Sequence, residues 1–172
     1  VSVGAGLFPL HGETIETLMQ NVDAALYRAK RAGGDRICLC DPALDAELHD
    51  RLSLGVDLRE AIAEEQFRLV YQPLFGARGE VNGFEALLRW RHPTRGEVSP
   101  GLFIPLAEAG GLIMSIDEWV LHKACAEAAT WTVPLSISVN ISARLFQSGI
   151  LKRVVEKALR CSGLSPDRLT LE

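Results

Sequence analysis

Long hydrophobic runs are absent from this 172-residue chain, and so is an excess of positive charge. No apolar stretch approaches the roughly 20 residues that a membrane-spanning helix needs. The 22 acidic residues outnumber the 18 Lys and Arg residues, which gives a net charge of -4. Because a chain without a basic field does not attract nucleic acid nonspecifically, we expect no binding of DNA or RNA.

Cysteine and histidine are both scarce, with four residues of each type. The cysteine spacing fits neither a zinc site nor a disulfide framework, and no histidines form an H-x-x-x-H pair. Small buried side chains in a reducing compartment are the better interpretation of the cysteines. We therefore expect a cytoplasmic chain, with any membrane anchor of the whole protein upstream of this sequence.

The hydrophobic pattern divides the chain into two units, and 48% of the residues are hydrophobic, which is enough for a core. The first unit has a strand, a helix that ends at Gly33-Gly34, and a second strand. A mostly polar helical stretch follows and leads into a new β pattern. The predicted division is a first unit at residues 1–41, a connecting linker at 42–54 and a second unit at 55–172.

The second unit alternates strands with helices. Pro73 is expected to end the first strand, and Ser115 is expected to begin a helix in a capping box with Glu118. The predicted strands are 67–72, 81–90, 135–141 and 169–172, and the predicted helices are 115–131 and 150–161. From Val81 onward this order predicts an α/β fold with a parallel sheet or a (β/α) barrel.

Glu85 and Arg89 stand four residues apart in an otherwise apolar strand. Such residues are rarely buried unless they are paired, so a structural ion pair is one interpretation. Residues four apart on a strand are separated by roughly 13 Å, however, which disfavours a direct pair. A carboxylate suits a magnesium-type cation and a guanidinium binds phosphate, so the two together suggest chemistry on a phosphate ester.

Polar side chains also occur near the ends of the next two predicted strands. In a barrel, the residues that perform chemistry lie at the carboxyl ends of the strands. Glu85, Asn140 and Glu172 occupy such positions, and their oxygens could converge on a hard divalent cation. The alternatives are a helix cap for Asn140 and an ordinary strand end for Glu172.

The second unit resembles the EAL family of cyclic di-GMP phosphodiesterases, which have a TIM-like (β/α) barrel. The matching motifs are Tyr71-Gln72-Pro73, Gly83-Phe84-Glu85-Ala86-Leu87-Leu88-Arg89-Trp90, Phe103-Ile104-Pro105-Leu106-Ala107-Glu108, Val139-Asn140-Ile141-Ser142 and Leu171-Glu172. Five motifs in family order make this resemblance specific.

The resemblance implies particular roles for five residues. Glu85, Asn140 and Glu172 would bind Mg²⁺ or Mn²⁺, and Gln72 and Arg89 would contact the phosphates of cyclic di-GMP. A metal-activated water would then open one phosphodiester and give the linear dinucleotide. The resemblance also implies a homodimer formed through the EAL domain.

Residues 1–41 resemble the carboxyl-terminal tail of a GGDEF (diguanylate cyclase) domain. The resemblance is carried by Val1-Ser2-Val3-Gly4 and by the run from Asp23 to Gly33. It implies that Lys30 contacts phosphate. Gly34 stands where the family usually has an arginine, which weakens the expectation of GTP binding.

Three interpretations of function remain open from the sequence. The whole protein is either a cyclic di-GMP phosphodiesterase, an inactive cyclic di-GMP sensor or scaffold, or an unrelated metal-dependent barrel hydrolase. The family's adjacent Asp pair and catalytic lysine would follow Glu172. The chain has no initiator methionine and begins and ends in predicted strands, so we expect a fragment with the amino-terminal part of an EAL domain. Alone, it is expected to be inactive and to aggregate.

Overall fold

The computed structural model describes the backbone of residues 1–172 and the side chains of residues 1–41 and 50–172. It contains two compact units, Val1–Leu54 and Gly55–Glu172. Among the described residues, no helix combines the length and the hydrophobicity needed to cross a membrane. The elements are β1 (Ser2–Ala5), α1 (Ile15–Arg31), β2 (Arg36–Leu39), α2 (Pro42–Ala61), β3 (Phe67–Phe75), β4 (Val81–His92), β5 (Gly96–Val98), α3 (Pro100–Gly110), α4 (Ile113–Ala129), β6 (Ser136–Val139), α5 (Ala143–Gln147), α6 (Leu151–Ser162) and β7 (Leu169–Leu171).

The first unit is built around a β-α-β segment. Strands β1 and β2 are parallel, and α1 connects them. Thr14 caps the start of α1 by accepting a 3.1 Å hydrogen bond from the backbone N–H of Thr17. The helix buries Ala24, Ala25 and Ala29. Small side chains on this face allow the helix to lie close to its strands.

The second unit contains a five-stranded sheet with the order β3-β4-β6-β7, and β5 pairs with β4. Strand β3 is antiparallel to β4, whereas β4, β6 and β7 are parallel to one another. Helices α3 and α4 connect β4 to β6, and α5 and α6 connect β6 to β7. The predicted α/β class is therefore confirmed, and the predicted parallel arrangement holds for β4, β6 and β7, whereas β3 and β5 each pair antiparallel with β4.

One face of this sheet packs against the helices. Trp90, Phe103 and Ile137 are fully buried there. The ring of Phe67 lies 6.0 Å from that of Trp90 and 5.8 Å from that of Phe103. Because side chains alternate along a strand, Glu85 and Arg89 of β4 lie on the face opposite to that of Trp90.

Close contact between β4 and β6 requires a glycine at position 83. A Cβ atom there would lie 2.1 Å from Ser136 Oγ and 2.5 Å from the Ser136 carbonyl oxygen. Gly83 is paired directly with Ser136 in the parallel register. The glycine therefore lets β6 lie next to the strand that carries Glu85.

The prediction that Pro73 ends its strand is wrong. Strand β3 continues to Phe75, and Pro73 lies opposite Phe84 of β4. In the described sheet β3 pairs only with β4, so a residue without a backbone N–H is tolerated there. Sequence patterning also missed β5 and α5, which are only three and five residues long.

The predicted capping box of Ser115 and Glu118 is also wrong. Helix α4 begins at Ile113, and Leu112 is its N-cap residue without a side-chain hydrogen bond. Glu118 instead accepts a 2.8 Å hydrogen bond from Lys157 Nζ on α6. The helix starts earlier because the Leu112 carbonyl accepts from the backbone N–H groups of both Ser115 and Ile116.

Candidate functional site

The sheet register places the predicted site residues on one face of the sheet. Gln72 of β3 pairs with Glu85 of β4, and Glu85 pairs with Ser138 of β6. Residues paired across neighbouring strands have their side chains on the same face, and this face is the one opposite to the helix-packed core. Asn140 follows Ser138 by two residues and has the same orientation because side chains alternate along a strand.

Glu85 and Asn140 are in direct contact. Asn140 Nδ2 donates a hydrogen bond of 2.7 Å to Glu85 Oε1. Glu85 is half-buried and Asn140 is exposed. The hydrogen bond leaves Glu85 Oε2 and Asn140 Oδ1 as two hard oxygen atoms on neighbouring strands.

Glu172 lies beside Asn140 at the end of β7. Its backbone N–H donates to the Val139 carbonyl at 3.0 Å, and its own carbonyl accepts from the Ile141 N–H at 2.8 Å. The parallel ladder of β6 and β7 thus continues to Glu172, whose exposed side chain lies on the same face as that of Asn140. Glu85 lies within β4, and Asn140 and Glu172 directly follow β6 and β7, the two strands that are parallel to it.

Arg89 lies further along β4 on the same face as Glu85. Its Nη1 donates a 2.8 Å hydrogen bond to the Leu88 carbonyl, and the side chain is half-buried. In the described part of the chain Arg89 forms no ion pair with Glu85. Arg68, its partner in the register, is instead bound to Glu97 at 3.2 Å. The structural ion pair considered from the sequence does not occur.

A cleft of about 280 Å³ opens at this end of the sheet. Its polar lining includes Arg89, Asn140 and Ser142, and helices α3 and α4 contribute Glu108 and Asp117. Apolar side chains complete the lining, among them Ile104, Ile116 and Val120. A concave, largely apolar cleft with a few polar groups is the usual form of a small-ligand site.

Asp117 is a buried residue of this cleft that sequence reasoning did not identify. It is only 6% exposed, and its Oδ2 accepts hydrogen bonds from the backbone N–H (3.3 Å) and the hydroxyl of Ser142. Burial raises the pKa of Asp117, while the hydrogen bonds from Ser142 act in the opposite direction. One signal was available, since Asp117 shares the apolar face of α4 with Ile113 and Val120.

His92 is a further buried polar residue of the second unit. It is the last residue of β4 and only 7% exposed. Its Nδ1 accepts from the backbone N–H groups of Thr94 (3.2 Å) and Arg95 (3.3 Å), so Nε2 carries the proton toward Asp57 Oδ2 at 3.1 Å. His92 therefore connects α2 to the end of β4 within the second unit.

Lys30 belongs to the first unit and lies exposed in the last turn of α1. Its backbone carbonyl accepts from the N–H of Gly33 at 3.2 Å, where the helix ends. A cation in this turn suits the negative end of the helix dipole.

The donor atoms at the site fit a hard divalent cation. Across residues 1–41 and 50–172, no group of three or more His, Cys, Asp or Glu side chains could hold a metal ion. The pair of Glu85 and Asn140 is a mixed set of carboxylate and amide oxygens, which Mg²⁺ and Mn²⁺ accept. Glu172 would supply a further carboxylate from the next strand.

Comparison with known proteins identifies the second unit. The family model described as EAL domain matches residues 56–172. Along 99% of its length the chain is 47% identical to an uncharacterized signaling protein of Caulobacter vibrioides, and covers 21% of that protein. It is 42% identical, again over 99% of the chain, to the bifunctional diguanylate cyclase/cyclic di-GMP phosphodiesterase MucR of Pseudomonas aeruginosa, of which it covers 26%. The chain thus spans about a fifth to a quarter of these relatives.

Solved structures give the same assignment. The PaMucR phosphodiesterase in complex with c-di-GMP is 43% identical, with a TM-score of 0.66 over 69% of this chain and 50% of that one. The FimX EAL domain of Pseudomonas aeruginosa bound to c-di-GMP is 31% identical, with a TM-score of 0.61, and the match covers 69% of this chain and 48% of the other. The second unit has the α/β fold of these EAL domains.

Proposed function

Since this chain belongs to the EAL domain family, we propose that the protein that contains it hydrolyses cyclic di-GMP to the linear dinucleotide with the help of a divalent cation. The observation that carries the proposal is the 2.7 Å hydrogen bond between Asn140, directly after β6, and Glu85 of β4. It brings a carboxylate and an amide together beside a cleft of ligand size. The relatives named for this activity support the substrate.

Glu85, Asn140 and Glu172 would hold the cation, which we propose to be Mg²⁺ or Mn²⁺. When bound, such an ion lowers the pKa of a water ligand and neutralises charge on phosphate oxygens. The hydrogen bond from Asn140 Nδ2 fixes the orientation of the Glu85 carboxylate before any ion arrives.

Gln72 and Arg89 would bind the phosphates of the substrate. Gln72 is exposed next to Glu85 on β3, so its amide N–H groups can reach an anion held at the metal ligands. The guanidinium of Arg89 lines the cleft and has donors beyond the one used by the Leu88 carbonyl. Charge-assisted hydrogen bonds from arginine to phosphate are among the stronger polar contacts in proteins.

The test is hydrolysis of cyclic di-GMP by the full-length protein with Mg²⁺ or Mn²⁺, compared with its Glu85→Gln variant. Glu97→Gln is the matched control, because Glu97 is bound to Arg68 outside the cleft. We expect linear product from the wild type and the control but not from Glu85→Gln. Binding of cyclic di-GMP without hydrolysis under both metals would favour a sensor or scaffold. If the protein neither binds nor hydrolyses cyclic di-GMP, both functions are contradicted.

The remaining parts of the proposal concern the rest of the protein. We propose that residues 1–41 are the tail of a GGDEF domain with Lys30 as a phosphate contact, that 42–54 are a linker, and that 55–172 begin the EAL domain. The β-α-β order of the first unit and the match of MucR over 99% of the chain support this. A GTP-binding assay on the full-length protein and its Lys30→Ala variant tests the phosphate contact; equal binding would contradict it.

The isolated 172-residue chain is proposed to be inactive, since it covers only half of the PaMucR structure. The full-length protein is proposed to form a homodimer through its EAL domain in the cytoplasm and not to bind DNA or RNA. Sedimentation of the full-length protein tests the homodimer, and gel-shift assays with DNA and RNA test the absence of nucleic acid binding. Hydrolysis by the isolated chain, a monomer at all concentrations, or a shifted nucleic acid would each contradict one part.

A further inference from the structure

The residues that follow β6 are each attached to a different element of the second unit. Asn140 donates through its side chain to Glu85 of β4. Ile141 donates its backbone N–H to the carbonyl of Glu172, directly after β7. These contacts fix the segment on both sides within the sheet, but neither one connects it to the helix layer.

The connection to the helix layer runs from Ser142 to Asp117 of α4. Asp117 Oδ2 accepts both the hydroxyl and the backbone N–H of Ser142. Ser142 is also the N-cap of α5, and its Oγ accepts from the Leu145 N–H at 3.2 Å. One buried carboxylate therefore fixes the backbone and the side chain of a residue two positions after Asn140.

Burial of the Asp117 carboxylate destabilises the fold unless hydrogen bonds to the carboxylate compensate for the loss of water. The side chain is 6% exposed and belongs to the same helix face as Ile116 and Val120, which line the cleft with it. An unpaired carboxylate in such surroundings is strongly destabilising, whereas one that accepts two hydrogen bonds is tolerated. The hydrogen bonds that Asp117 accepts in the described structure come from the backbone N–H and the hydroxyl of Ser142, so they hold the loop after β6.

We propose that Asp117 is a positioning residue for the metal site, acting through Ser142 on Asn140. This inference rests on the proposed function, because it assumes that Asn140 Oδ1 is a metal ligand. Asp117 is outside hydrogen-bond contact with Glu85 and Asn140 in the described structure, so it acts through the backbone between Asn140 and Ser142. Residues that orient metal ligands typically change metal affinity or activity by about 10-fold to 100-fold when they are replaced.

The variants are made in the full-length protein, and the measured quantity is the Kd of Mn²⁺ by titration calorimetry. Asp117→Leu removes the acceptor at similar size, and Ser142→Ala removes the hydroxyl donor. Asp117→Asn retains a side-chain oxygen that accepts from Ser142 and serves as the conservative variant. Glu118→Gln is the matched control on the same helix, because Glu118 is bound to Lys157 on α6.

We expect Asp117→Leu and Ser142→Ala each to raise the Kd of Mn²⁺ by about tenfold. The double variant should be no worse than the single ones, since both remove the same contact. Asp117→Asn and Glu118→Gln should remain within about twofold of the wild type. Glu118→Gln should also leave the binding of cyclic di-GMP without metal unchanged, because Glu118 does not line the cleft.

Several results would overturn the inference, and they differ from failure of the proposed function. An unchanged Kd of Mn²⁺ in Asp117→Leu and Ser142→Ala, with a lowered melting temperature, would show a purely structural role. If Asp117→Leu binds cyclic di-GMP more weakly without metal while its Kd of Mn²⁺ is unchanged, Asp117 is a substrate contact. If the wild type binds no Mn²⁺ at all, the proposed function itself fails and the inference fails with it. If Asp117→Leu does not fold, the Kd of Mn²⁺ in Ser142→Ala decides whether the inference holds.

Discussion

Asn140 and Glu85 are 55 positions apart in the sequence, and a 2.7 Å hydrogen bond from the amide of Asn140 joins them across two parallel strands. The contact orients the carboxylate and leaves one oxygen on each side chain available to a ligand. Asn140 lines the cleft and Glu85 is hydrogen-bonded to Asn140, so we expect the pair to hold a cation beside a bound anion. Gln72 is paired with Glu85 in the sheet, and Glu172 lies beside Asn140.

Removal of the amide at position 140 should slow hydrolysis strongly and leave the fold intact. Asn140 is exposed, so Asn140→Ala should cost only about 1 kcal/mol of unfolding free energy for the lost hydrogen bond. The rate of hydrolysis should fall by about 100-fold, since one ligand is lost and Glu85 loses its orientation. The measurement is product release under saturating Mn²⁺. Asn82→Ala, at the other end of β4, is the control, and an equal loss there would contradict the role of Asn140.

Replacement of Arg89 should weaken substrate binding more than the chemical step. A charge-assisted hydrogen bond contributes about 1.5–3 kcal/mol, so Arg89→Ala should raise KM by about 10-fold to 100-fold. Arg89→Lys should restore only part of this because lysine cannot bind phosphate in bidentate fashion. Arg68→Ala is the control, since Arg68 lies opposite Arg89 but is bound to Glu97. Steady-state kinetics with an unchanged KM in Arg89→Ala would exclude the phosphate contact.

Tyr71 should make the second unit less stable at high pH. Burial, together with the nearby Glu127 carboxylate, raises the pKa of Tyr71 from 10.0 to about 12. The folded state therefore keeps the phenol proton where the unfolded state has lost it, and the unfolding free energy falls as the pH rises from about 10 to about 12. Tyr71→Phe should flatten this dependence in urea unfolding across that range. An equally steep fall in the variant would contradict the assignment to Tyr71.

The aromatic cluster under the sheet should carry much of the stability of the second unit. Phe103 is fully buried and contacts the rings of Phe67 and Trp90. Phe103→Ala should lower the unfolding free energy by about 3–5 kcal/mol because it leaves a cavity. Phe146→Ala is the control, since Phe146 is 73% exposed, and it should change stability by at most about 0.5 kcal/mol. The measurement is urea unfolding followed by tryptophan fluorescence. Equal unfolding free energies of Phe103→Ala and Phe146→Ala would contradict the prediction.

The layout of the second unit was readable from local patterns. Alternating strands and helices after Val81 predicted the parallel arrangement of β4, β6 and β7, which the structure confirms. Because parallel strands in one sheet end at the same edge, the polar residues near their ends were expected to be neighbours. The hydrogen bond between Glu85 and Asn140 agrees with that expectation, while their role as metal ligands stays a prediction.

Features that depend on distant partners were not readable in this way. The burial of His92 depends on Asp57, 35 positions earlier, and the role of Asp117 depends on Ser142, 25 positions later. Pro73 was predicted to end its strand because proline has no backbone N–H to donate. The sheet order shows that β3 has a single described neighbour, and a proline is tolerated in such a strand. Local residue patterns do not contain such long-range pairings, so these residues required the folded structure.

The location of the cation is the most direct test of the account. We would crystallise the full-length protein, or its complete EAL domain, with Mn²⁺ and cyclic di-GMP and measure anomalous scattering at the manganese edge. The account predicts an anomalous peak with oxygens of Glu85, Asn140 and Glu172 at about 2.2 Å, and a substrate phosphate against Arg89. A bound cyclic dinucleotide with no manganese at Glu85 and Asn140, or with manganese held by other residues, would contradict it.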